Sequence, residues 1–116
     1  MAICFDHIGI TTEERMPGEN WVEQARCWVT NPHKHPERIE FLRYEEPGLV
    51  PPRILHGAHI AYRVDDLDKY LEGQEIIVPP FVVANSLEVA FIWKHNTVFE
   101  YIRYIKPVWF GEEIVL

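Results

Sequence analysis

The chain has 116 residues, 47% hydrophobic and 13% aromatic, with 18 acidic against 11 basic side chains and a formal charge of −7. That composition fits one globular domain, excludes a wholly disordered chain, and lacks the basic surplus of a nucleic-acid binder. No membrane span is expected, because the longest apolar run (residues 76–84) holds Pro79 and Pro80 and is far short of the about 20 residues a span needs. Asp6, Glu13 and Glu14 break up the N-terminal stretch, so no signal peptide is expected either.

Taken in chain order, the dominant period is two. Residues 3–10 (ICFDHIGI) predict a first strand, and 11–20 (TTEERMPGEN) a polar loop. Residues 21–30 (WVEQARCWVT) predict a second strand, although Glu23, Gln24 and Arg26 also suit a short helix. Cys4 and Cys27 sit in these apolar runs; two cysteines are too few for a disulfide framework and are expected as reduced thiols in a cytoplasmic protein. Residues 38–45 (RIEFLRYE) alternate well as a third strand. Residues 46–53 (EPGLVPPR) carry three prolines and a glycine, which predicts a connector between two halves with its seam near residue 50.

Beyond the connector, residues 57–64 (GAHIAYRV) predict a strand. One helix follows: Val64-Asp65-Asp66 offers an aspartate N-cap, Leu67, Tyr70 and Leu71 recur at helical spacing, and Gly73 is a natural stop. Residues 76–83 read as a strand whose prolines demote part of it to an edge or a bend. Residues 87–94 and 97–105, rich in Val, Ile, Phe, Tyr and Trp, close the set.

The chain repeats itself. His7-Ile8-Gly9-Ile10 resembles His59-Ile60-Ala61-Tyr62, and Ile39-Glu40-Phe41-Leu42-Arg43-Tyr44 resembles Phe99-Glu100-Tyr101-Ile102-Arg103-Tyr104. Each half begins with a strand carrying His and ends with a strand carrying Glu. Alternation puts Phe5 and Gly9 on the face of His7, Leu42 and Tyr44 on that of Glu40, Gly57 and Ala61 on that of His59, and Val98 and Ile102 on that of Glu100. A carboxylate among such small or apolar neighbours is costly to bury unless something neutralises it. Two imidazoles and two carboxylates converging on one divalent cation meet that need. The mixed N/O set suits Zn, Ni, Co, Mn or Fe(II) without choosing among them. His33-Lys34-His35 lies between two prolines and is expected in an exposed loop, and His56 is expected to face away from His59.

The strings Phe5-Asp6-His7-Ile8-Gly9-Ile10, Ile39-Glu40-Phe41, His59-Ile60-Ala61-Tyr62-Arg63-Val64-Asp65-Asp66-Leu67 and Phe99-Glu100-Tyr101 resemble the vicinal oxygen chelate superfamily. That superfamily includes glyoxalase I, methylmalonyl-CoA epimerase, fosfomycin-resistance proteins, extradiol dioxygenases and the bleomycin-resistance protein. The resemblance spans residues 3–105. It implies an α+β fold in which paired βαβββ modules build mostly antiparallel mixed sheets curled round a concave site. One domain over 1–116 would comprise module one at about 1–47, a connector at 46–56 and module two at about 57–106. The first module is too short for its usual helix. The resemblance further implies a divalent metal held by His7, Glu40, His59 and Glu100, and a homodimer.

Two activities follow as expectations. The first is a metal-dependent lyase or isomerase of the glyoxalase or epimerase kind, acting on a small molecule with neighbouring oxygens through a metal-stabilised enolate, with Glu100 or Glu40 taking the proton α to the carbonyl. The second is a non-catalytic small-molecule binder of the bleomycin-resistance type. A dioxygenase ranks lower, because a fourth protein ligand crowds an O2 site. Arg63, Tyr44, Trp93 and Phe91 are the candidate substrate contacts, with Trp28, Tyr62 and Tyr104 in a wider aromatic set.

Overall fold

The computed structural model describes residues 3–46 and 50–116. Eight strands form one sheet: β1 (Ile3–Thr11), β2 (Asn20–Val22), β3 (Cys27–Val29), β4 (Ile39–Tyr44), β5 (Ala58–Val64), β6 (Glu75–Val83), β7 (Leu87–Lys94) and β8 (Thr97–Tyr104). Their order is β2-β3-β4-β1-β5-β8-β7-β6. The two halves meet where β1 and β5 pair antiparallel. Outward from there, each half runs first strand, fourth, third, second. The first and fourth strands of each half pair in parallel, β1 with β4 and β5 with β8. This is the α+β architecture of paired modules, a mixed sheet curled round a concave face.

The second half follows its sequence closely. Helix α2 (Leu67–Leu71) starts at Asp66, whose carboxylate accepts a hydrogen bond from the Lys69 backbone N–H at 3.4 Å. Leu67 and Leu71 pack on Val64, Ala90, Ile92 and Tyr101 on the convex face. Val89 and Phe91 of the same strand β7 face the concave core, so β7 is apolar at consecutive positions because it is buried on both sides. β6 is the edge strand, and its ladder with β7 slips around Ile77 and around Pro79-Pro80, where proline can only be accommodated off the ladder.

The first half departs from expectation. Residues 21–30 are two strands rather than one. Glu23–Ala25 form a turn of 3-10 helix, Arg26 takes the left-handed conformation (φ 50°), and β2 and β3 fold back on each other with Val22 opposite Cys27. The polar residues that break the alternation are where the chain reverses. The loop between β1 and β2 carries no helix. The convex face that α2 covers in the second half is here packed by indole and guanidinium groups. The Trp21 and Trp28 rings lie 4.9 Å apart, with Arg26 over Trp21 and Arg43 over Trp28. Glu19, from that loop, accepts two hydrogen bonds from Arg43 at 2.8 and 2.9 Å. Trp28 therefore sits away from the concave side. The connector holds a short helix α1 (Pro52–Leu55) that buries Ile54 in the concave core. Its residues 47–49, beside the expected seam, lie outside the described residues.

Strand β1 breaks strict alternation. Phe5 stands opposite Tyr62 and His7 opposite Ala61, so Asp6 is an extra residue in a bulge. Both Asp6 and His7 are fully buried as a result. Phe5, expected on the face of His7, instead packs its ring edge-on to Tyr62 and is 44% exposed.

Gly9 stands opposite His59, and its missing side chain is where the His59 ring lies. A Cβ added to Gly9 would come within 2.1 Å of His59 Cε1. Gly9→Ala should displace that ring and destabilise the fold by about 1–3 kcal/mol in urea unfolding. Gly57→Ala, where the nearest atom is 3.9 Å away, should cost less than about 0.5 kcal/mol. Equal losses for the two variants would show that Gly9 is not chosen for His59.

Candidate metal centre

The repeat places the quartet. His7 and His59 sit on the two central strands, and Glu40 and Glu100 on their parallel partners. The register sets Gly9 beside Glu40 and Ala61 beside Glu100. In both halves the residue two past the histidine is small, which leaves the glutamate room to reach inward. His7 Nε2 lies 3.3 Å from Glu40 Oε1 and 3.2 Å from Glu100 Oε1. His59 Nε2 lies 3.7 and 3.1 Å from the same two oxygens. All four side chains are buried, come from one chain, and offer ligand atoms within 4.8 Å of one another.

Chemistry and geometry of these residues fit a cation. His7 Nε2, His59 Nε2 and Glu100 Oε1 are buried without a hydrogen-bond partner among the described residues. Bonds of about 2.0–2.2 Å to a shared ion would set neighbouring donors about 3–3.5 Å apart, which three of the four His–Glu distances match and the 3.7 Å from His59 to Glu40 slightly exceeds. With protons in place of a metal, the same charges must be balanced by the imidazoles. Burial alone would hold His7 neutral, but the Glu40 charge and contacts to Asp6, Glu100 and Glu40 raise it well above its ordinary value. His59 is raised against the same burial by Glu100 and Glu40. Burial would raise Glu100, yet contact with His59 and His7 lowers its carboxyl to about 2.

His7 is held from behind. Its Nδ1 lies 2.6 Å from Asp6 Oδ2, which the bulge brings inward. The Tyr104 hydroxyl donates to Asp6 at 3.0 Å, and His33 Nε2 lies 2.8 Å from that hydroxyl. Arg38 Nε donates to the Asp6 carbonyl at 2.5 Å. His33 is thus half-buried against Tyr104, not free in an exposed loop as its Pro-flanked setting predicted. Asp6 and His33 went unrecognised as site residues for a physical reason. Alternation puts Asp6 on the wrong face, and the partner of His33 is 71 residues away.

A cavity of about 350 Å³ reaches the quartet from the side of its glutamates. Glu40 and Glu100 line it, with Tyr44 and Phe91 as expected. Trp93 and Arg63 are not among its lining residues. Trp93 lies under the Arg53 guanidinium at 4.0 Å, and Arg63 donates to Cys4 Sγ at 2.9 Å. The cavity is closed in part by residues past the second module. Strands β9 (Val108–Trp109) and β10 (Glu112–Glu113) form a separate hairpin, and Trp109 and Phe110 line the cavity. The Trp109 ring stands 6.2 Å from that of His7. An aromatic pair before Gly111, outside both repeats, was the available signal. His56 is exposed at the end of α1.

No family model matches the sequence, and no curated protein sequence does. Solved structures share the fold. A hypothetical protein, BH1468 from Bacillus halodurans C-125, superposes with a TM-score of 0.71 at 16% identity, covering 94% of this chain and 99% of that one. A methylmalonyl-CoA epimerase from Mycobacterium tuberculosis superposes with a TM-score of 0.62 at 18% identity, covering 86% of this chain and 87% of that one. At these identities the likeness establishes the fold, which is glyoxalase-like.

A metal must displace the protons that His7 and His59 hold above their ordinary range. Raising the pH through that range removes the competing protons, so affinity for Zn(II) should rise by up to about tenfold per pH unit for each proton displaced. Titration calorimetry in buffers of differing ionisation heat reads that release; a pH-independent affinity contradicts it. Asp6→Asn, which weakens the hold on His7, should cost about 10- to 100-fold in Zn(II) affinity.

Proposed function

We propose that this protein is a metal-dependent isomerase or lyase that moves a proton α to a carbonyl on a small molecule with neighbouring oxygens. The observation that carries the reading is the convergence of four buried ligand-type side chains, with donor atoms unpartnered among the described residues, beside a cavity that Glu40 and Glu100 line. A methylmalonyl-CoA epimerase with the same fold supports the isomerase class. His7, Glu40, His59 and Glu100 would hold the ion, one of Zn, Ni, Co, Mn or Fe. When bound, a divalent ion supplies a Lewis acid that stabilises negative charge developing on oxygen.

The chain's own residues supply the rest. Of the ionisable side chains lining the cavity, Cys27 and Tyr44 are pushed up by burial and stay protonated. That leaves Glu100 and Glu40 as the carboxylates placed to take and return the proton. Asp6 fixes the orientation of His7. The apolar wall of Leu42, Val89, Phe91 and Ile102 keeps bulk water from the reacting carbon. All four ligands lie on one chain, so the site needs no second copy to be complete.

The same wall favours a second reading, a non-catalytic binder of small apolar molecules. Hydrogen–deuterium exchange separates the two. Metal-saturated protein in D2O, given an α-hydroxyketone, should exchange the proton α to the carbonyl, as followed by NMR. Glu100→Gln, compared at equal metal occupancy, should slow exchange by about 10²–10⁴-fold with an unchanged circular dichroism spectrum. Ligand binding without exchange in the unmodified protein would leave only the binder.

A further inference from the structure

We infer that the molecule this cavity accepts is uncharged, with an apolar body and its oxygens gathered at the end facing the glutamates. The inference rests on the cavity being the substrate site and adds the charge class of what enters it. Among the described residues none that lines the cavity is Lys, Arg or His, and Glu40 and Glu100 are the acidic ones. Residues 1–2 and 47–49 bring no charged side chain either. The guanidinium groups nearby are committed outside the cavity. Arg26 pairs with Glu46, Arg43 with Glu19, Arg53 with Glu75 and Arg103 with Glu88. Arg38 is taken up by the Asp6 carbonyl.

A carboxylate or phosphate on the body of a ligand would therefore lose its water and meet no cationic side chain, since any positive charge on the quartet lies at the other end of the ligand. The body instead meets Val29, Leu42, Val83, Val89, Phe81 and Phe91. Among the described residues one buried lining donor is without an acceptor, Trp109 Nε1. Its ring stands beside that of His7, so the acceptor it calls for belongs at the same end of the ligand as the quartet. Polar demand at one end and apolar wall elsewhere define a small neutral molecule, at the low end of the cavity volumes that take drug-sized ligands.

The test compares two probes that differ only in a distal charge: 1-phenyl-1,2-propanedione and its 4-carboxy derivative. Calorimetric titration into the Zn(II)-loaded full chain should show the uncharged dione binding about 10- to 100-fold more tightly, the range expected for burying an unpartnered polar group. Gln24→Arg places a cation on an exposed lining residue and should narrow that gap at least about threefold. Trp109→Phe should weaken the dione by about 2- to 10-fold through loss of one hydrogen bond. Equal or tighter binding of the carboxylate overturns the inference, and so does failure of the dione to bind. The same ratio is read in the metal-free protein. Failure to take up metal or to exchange a proton would therefore sink the proposed function and leave this comparison standing.

Discussion

Two glutamates buried side by side against an apolar sheet set the terms for everything around them. Charge in such a place must be matched, and the histidines on the two central strands match it, by holding protons or by sharing a cation. The rest of the architecture serves that meeting. The parallel pairings of β1 with β4 and of β5 with β8 put each glutamate one strand away from a histidine. Gly9 and Ala61 clear the floor between them. The β1 bulge turns Asp6 inward to hold His7 from behind. A duplicated module is an economical way to reach this arrangement, because two copies of one His–Glu strand pair give a quartet when their first strands pair.

Much of this was legible in the sequence because the features that encode it are local and repeated. The His-Ile-Gly-Ile and His-Ile-Ala-Tyr strings mark the two central strands, and Ile-Glu-Phe and Phe-Glu-Tyr mark their partners. Period-two alternation then puts the quartet on one face. Asp66, Leu67, Tyr70 and Leu71 announce α2, and Pro79-Pro80 announce an edge. What was not legible depends on breaks in the period or on distant partners. A single extra residue in β1 reverses the faces on either side of it, which sends Phe5 outward and Asp6 inward. The turn at Glu23–Ala25 hides inside a stretch whose flanks both read as strand. His33 gains its meaning only from Tyr104.

The two halves have diverged in what covers them. The second keeps a helix on its convex side, and the first replaces it with two tryptophans, their rings tilted against each other under arginines. The hairpin after β8 belongs to neither repeat, yet it delivers Trp109 and Phe110 to the cavity. The repeat thus supplies the quartet, while non-repeated segments (α1, the Glu23–Ala25 turn and the C-terminal hairpin) shape the space beside it. The quartet and the space beside it are written in different parts of the sequence.

The role proposed for the quartet is to hold a metal ion. Elemental mass spectrometry of tag-free protein, beside a His59→Ala variant shown to be folded, tests it most directly. About one transition-metal ion per chain in the unmodified protein, lost in the variant, is the predicted result and names the ion. Equal metal content in the two proteins, or none in either after incubation with Ni, Co, Mn and Zn, would contradict it.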